Sequence, residues 1–158
     1  MNTQVNTEID ESKRKEIAQA LSRVLADTYT LYLKTHNFHW NVTGPQFNSL
    51  HTLFETQYTE LAAAVDEIAE RIRALDVRAP GSYREFAELG SIEEAEGTEK
   101  ASDMVKKLSD DQGKVVASAK SALEIAADAN DDVSADLMTQ RMAIHEKTGW
   151  MLRAMLEG

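Results

Sequence analysis

Residues 47–75 read FNSLHTLFETQYTELAAAVDEIAERIRAL, and this stretch carries two stripes at once. On a helical cylinder at about 100° per residue, Phe47, Leu50, Phe54, Leu61, Val65, Ile68, Ile72 and Leu75 fall in one arc of roughly 80°. That arc is the face an amphipathic helix buries. His51, Glu55, Asp66 and Glu70 fall in a separate arc of roughly 100°. Between them on the second stripe lie the small residues Thr59, Ala62 and Ala69, which let another helix come close.

A helix of this kind needs partners, and the flanking sequence supplies them. Apolar residues recur at helical spacing from about Ser12 to His39, with Ile17, Leu21, Val24, Leu25, Leu31 and Tyr32 as core candidates. NVTGP ends that helix, and Pro45 suits the first turn of the next, which should run to about Asp76. SYREFAELG predicts a short helix closed by Gly90. A third long helix covers roughly Glu99 to Ala129, using Met104, Leu108, Val115, Ala119 and Leu123. NDD breaks it, and a fourth follows from about Asp132 to Leu156, using Leu137, Ile144, Met151 and Met155. No β-alternation is present. The expected fold is all-α: a four-helix bundle with a short extra helix in the connection between helices two and three. Residues 1–12 are polar and expected to form a flexible tail, leaving residues 13–158 as a single bundle domain.

The chain has 158 residues, 42% apolar and 28% charged, which suits one soluble domain with a real core. It has no cysteine, so disulfides and thiolate metal sites are excluded. The start shows neither a basic n-region nor an apolar run, and nothing reaches membrane-spanning length. A cytoplasmic location and no membrane partner are therefore expected. The net charge of −10 repels nucleic-acid phosphates and attracts cations, though solubility alone would also explain it.

The second stripe cannot close on itself. His51 and Glu70 are separated by about 28 Å along the helix axis, whereas metal–ligand bonds are about 2 Å long. Two copies of the helix crossing antiparallel, about an axis between residues 60 and 61, bring His51 opposite the partner's Glu70 and Glu55 opposite the partner's Asp66. His39, across the turn from His51, joins the set. Two imidazoles with three carboxylates suit iron, zinc or manganese better than calcium or magnesium. The ordinary alternative is a run of solvated charges one turn apart. No histidine has a glutamate three residues before it, so a bundle-core di-iron centre of the Glu-x-x-His type is not expected.

HWNVTGPQF, LHTLFE, DEIAERI and DDVSADLMTQRMAIHEKTGWMLRAML together resemble the Dps mini-ferritins of the ferritin superfamily, from about residue 15 onward. The resemblance implies a dodecameric hollow shell whose two-fold interfaces each hold two ferroxidase sites. His39 and His51 would come from one subunit, Asp66 and Glu70 from its neighbour. Glu55 stands where the family usually has aspartate, a change that keeps the charge and lengthens the reach. The implied activity is oxidation of Fe(II), preferably by hydrogen peroxide, with Fe(III) mineralised inside the shell and hydroxyl radical formation suppressed. Hard carboxylate ligands favour Fe(III) over Fe(II), which assists oxidation.

The remaining candidates each have two readings. By the same resemblance Trp40 packs over the site and intercepts oxidising equivalents; as a large residue it serves equally as core or interface. His36 is an accessory residue near the site or a hydrogen-bonded surface histidine, and His145 is structural. Asp132 and Asp136 favour the dipole of the last helix, or, with Asp128, line the three-fold pore the resemblance implies. Some mini-ferritins bind DNA through a lysine-rich tail. Here Lys13, Arg14 and Lys15 face Glu8, Asp10, Glu11 and Glu16, so strong DNA binding is not expected. The alternatives are a nucleoid-associated, DNA-protecting protein with little ferroxidase activity, and an acidic bundle that only dimerises.

Overall fold

The computed structural model describes residues 5–158. The elements are α1 (Glu11–Asn41), α2 (Phe47–Ala74), α3 (Tyr83–Leu89), α4 (Ala101–Asp128) and α5 (Asp132–Ala154), and no strand occurs among the described residues. Four long helices pack as a bundle, and the short α3 crosses the connection between α2 and α4 against α1. Among the described residues no helix is long and apolar enough to cross a membrane.

The breaks have local causes. Val42 turns extended after α1, its N–H still bonded to the Phe38 carbonyl, and Gly44 takes φ +107°, a region closed to most side chains. Pro45 then lies in the turn, with α2 starting two residues later at Phe47, so it precedes the helix rather than opening it. Ser82 and Glu85 form a reciprocal capping box at the start of α3, and the Gly90 N–H returns to the Phe86 carbonyl at its end. Asn130 adopts φ 60° after α4, and the Asp131 side chain accepts from the Ser134 N–H to start α5.

Two apolar clusters fill the bundle. One joins Ile17, Leu21, Val24 and Leu25 of α1 to Ile68 and Ile72 of α2, Leu75 just past its end, Phe86 of α3, Ala119 and Ala122 of α4 and Met138 of α5. The other joins Leu31 and Phe38 to Leu50, Phe54 and Leu61, Met104, Leu108, Val115 and Leu152. Each fully buried large side chain stabilises the fold by about 1.5–3 kcal/mol relative to exposure.

Two apolar expectations shift. Phe47 is 42% exposed and lies over a histidine ring rather than in the core. On α5 the predicted stripe of Leu137, Ile144, Met151 and Met155 is only partly covered, Met151 being 41% exposed. The stripe α5 buries is Ser134, Met138, Arg141, His145, Gly149 and Leu152. Its charges are met by other helices: Arg141 makes a bidentate pair with Glu60 of α2 at 2.5 and 2.8 Å. Arg141 also donates to Nε2 of His145 (2.8 Å), whose Nδ1–H donates to Gln112 of α4 (2.7 Å). Before Glu11 the chain is irregular, with Ile9 packed on the core and its carbonyl held by Arg14; the first four residues of the expected tail lie outside the described residues.

Candidate metal centre

The Val42–Gln46 turn places the end of α1 beside the start of α2, and two histidines meet there. The His39 and His51 rings stack with centroids 3.8 Å apart and planes 13° from parallel. Each Nδ1 lies 2.7 Å from the other residue's backbone carbonyl. A carbonyl only accepts, so both Nδ1 atoms carry their protons, and in the neutral rings both lone pairs sit on Nε2. Hydrogen bonding at one ring nitrogen to orient the other is what metal-binding imidazoles require. Phe47 stacks on the outer side of His51 at 5.0 Å and stiffens the pair.

Beside this pair stands an aromatic group. The His36 ring lies between Trp40 (3.9 Å) and Tyr58 (4.2 Å), and Tyr58 meets His39 edge-on at 5.1 Å. Burial, with the neighbouring His39 adding to it, lowers the His36 pKa. The Tyr58 hydroxyl is raised, first by desolvation and then by the negative charge of Glu55 one turn before it.

Farther along α2, Asp66 and Glu70 are exposed one turn apart. The Glu70 carboxyl is raised because it shares a hydrogen bond, and then a like charge, with Asp66. Two carboxylates in that relation attract a cation. Glu55 is exposed on the same side, with Thr59 and Ala62 exposed between. Among the described residues no three histidines or acids converge within one chain. The protomer therefore presents a histidine half near one end of α2 and a carboxylate half near the other.

The pore candidates Asp128, Asp132 and Asp136 are all exposed around the α4–α5 turn, and Asp136 accepts a hydrogen bond from Gln140 at 2.7 Å. Asp131 is instead buried, capping α5 and pairing with Arg71 of α2 at 2.9 Å. Sequence spacing missed this pair, the Arg141 network and the Lys34–Asp111 ion pair between α1 and α4 (2.8 Å). Each joins segments distant in sequence, and the spacing within one helix does not reveal the partner that a charge will meet.

A ferritin-like domain profile matches residues 18–158. The DNA protection during starvation protein 2 of Bacillus anthracis is 41% identical over 142 residues, covering 90% of this chain and 97% of that protein. A crystal structure of a Dps protein from Bacillus brevis superposes with a TM-score of 0.89 at 38% identity, over 99% of this chain and all of that one. The chain belongs to the Dps family of mini-ferritins. A Dps protein from Vibrio cholerae, described as one of the ferritin-like diiron-carboxylate proteins, superposes with a TM-score of 0.92 at 30% identity, over 99% of this chain and 100% of that one. At the level of the Dps family this ties the chain to iron-carboxylate chemistry and to protection under stress. The donor set here, imidazole lone pairs and paired carboxylates, fits iron.

Proposed function

We propose that this Dps-family chain is a ferroxidase and iron-storing protein, which oxidises Fe(II) at sites completed by two copies and mineralises Fe(III) inside a dodecameric shell. The observation that carries this reading is the reciprocal lock between His39 and His51. It leaves two lone-pair nitrogens side by side, and among the described residues no further histidine or acid of the same chain closes a metal site with them. Asp66 and Glu70 of a neighbour supply the missing charge if its α2 crosses antiparallel, with Glu55 of the histidine-bearing chain opposite that Asp66. In that arrangement the imidazoles hold Fe(II), the carboxylates stabilise the ferric product, and open positions admit the oxidant.

Hydrogen peroxide is the proposed oxidant. Removing Fe(II) and peroxide together would protect DNA without binding it, which fits a chain of net charge −10. The test is to add Fe(II) and then peroxide to the purified shell and follow ferric absorbance. His51→Ala and Asp66→Ala should each abolish the fast phase while the shell stays assembled by size-exclusion chromatography. Fast oxidation surviving in both variants would overturn the assignment, and a parallel run with oxygen alone tests the oxidant.

A further inference from the structure

All four tyrosines of the chain lie in one continuous row that starts at the histidine pair. Tyr58 meets His39 at 5.1 Å, Tyr32 follows Tyr58 at 6.1 Å, Tyr29 follows Tyr32 at 5.7 Å, and Tyr83 follows Tyr29 at 6.2 Å. The row runs from α2 along α1 to α3, and three of its four contacts join different helices. Phe86 stacks on Tyr29 at 5.0 Å and covers the middle of the row. Tyr83, at the far end, is 69% exposed in the protomer, whereas the other three are partly buried. Edge-to-face contacts are ordinary packing when taken one at a time. Packing alone does not require that every tyrosine join one row, nor that the row begin against a candidate iron ligand and end at the surface.

We propose that this row is a one-electron path that carries stray oxidising equivalents from the iron site to Tyr83. The proposal rests on the ferroxidase reading, because that activity supplies the oxidant. When one Fe(II) meets peroxide alone, Fe(II) and H2O2 give Fe(III), hydroxide and a hydroxyl radical. The radical takes a hydrogen atom from the Tyr58 hydroxyl: that O–H bond breaks, water forms, and Tyr58 is left as a neutral phenoxyl radical. At each later hop one electron passes back along the rings and one proton is exchanged with water. The net change is that the Tyr83 hydroxyl and the hydroxyl radical become a Tyr83 phenoxyl radical and water. At the surface a soluble one-electron reductant such as ascorbate donates a hydrogen atom and restores Tyr83. Trp40, tilted against His36, is not part of the row.

The assembled protein, mixed with limiting Fe(II) and excess peroxide and freeze-quenched, should show a tyrosyl radical by electron paramagnetic resonance. Ring-deuterated tyrosine should alter its hyperfine pattern, and ascorbate should erase it. Tyr58→Phe should lose the tyrosyl signal. Tyr83→Phe should oxidise iron at the wild-type rate and hold a signal that persists in ascorbate. Ferric absorbance with no tyrosyl radical, a spectrum indifferent to tyrosine deuteration, or an undiminished tyrosyl signal in Tyr58→Phe overturns this path and leaves the ferroxidase reading standing. Absence of ferric absorbance in the wild type overturns both.

Discussion

His145 is 1% exposed on the inner stripe of α5, and burial first, then the Arg141 charge, lowers its pKa to about 3. The folded chain thus holds it neutral, while the unfolded chain protonates it below about pH 6.5. Its contribution to stability is therefore complete above about pH 6.5 and is lost as the pH falls toward 3, at up to about 1.4 kcal/mol per pH unit. His36, also lowered, acts with the same sign. Thermal denaturation between about pH 6.5 and 5.5, above most carboxylate titration, should show a steeper fall in Tm for the wild type than for His145→Gln. Equal slopes would mean that the imidazole is not held neutral. The histidine pair follows a different rule. Its residue types and its place across a Gly-Pro turn could be read from the sequence, but the reciprocal carbonyl bonds that choose the Nε2 lone pairs could not. Those bonds depend on the way Val42–Gln46 brings the two helix ends together.

Between elements, the Lys34–Asp111 ion pair ties α1 to α4, and the same ammonium donates to the Glu93 carbonyl, pinning the connection before α4. Burial raises the Asp111 carboxyl, and Lys34 opposes that rise. Removing Lys34 leaves the buried Asp111 carboxylate with only the half-exposed Lys114 ammonium at 4.0 Å, so Lys34→Ala should cost about 3 kcal/mol in denaturant unfolding. Lys34→Met with Asp111→Leu should recover most of that loss; failure to recover would show that the contact with Glu93 outweighs the ion pair. Gly97 holds the same connection close to α1 at φ +90°, where an added Cβ would lie 2.2 Å from Oδ1 of Asn37. Gly97→Ala should destabilise by about 1–3 kcal/mol, read as a lowered Tm. The five helices and their order follow from apolar periodicity, capping residues and the two prolines. The orientation of α5 does not, because Arg141 and His145 face inward only where Glu60 and Gln112 of other helices satisfy them. Judged on its own helix, Arg141 reads as a surface residue.

For the whole molecule, the proposed shell, with its site divided between two copies, makes a stoichiometric prediction. His51→Ala and Asp66→Ala shells are each expected to be inactive, yet co-assembly of the two chains in equal amounts should restore about a quarter of the sites, since each mixed two-fold dimer regains one intact site. A site lying within one chain would stay inactive in the mixture, so measuring the fast ferric phase in co-assembled shells decides between the arrangements. The net charge of −10 per chain should also keep the shell from DNA at physiological salt, with no retarded band in a gel shift; a retarded band under those conditions would make direct DNA shielding the better account of protection. The sequence by itself determined the helices, their amphipathic faces and the second stripe of α2, because periodicity and capping act over a few residues. It also showed that the stripe's two halves stand too far apart to close within one helix. Tertiary structure alone decided the stacked imidazoles and their tautomers, the polar seam between α2, α4 and α5, and the alignment of four tyrosines. Those depend on contacts between residues far apart along the chain, whose partners exist only once the helices have packed.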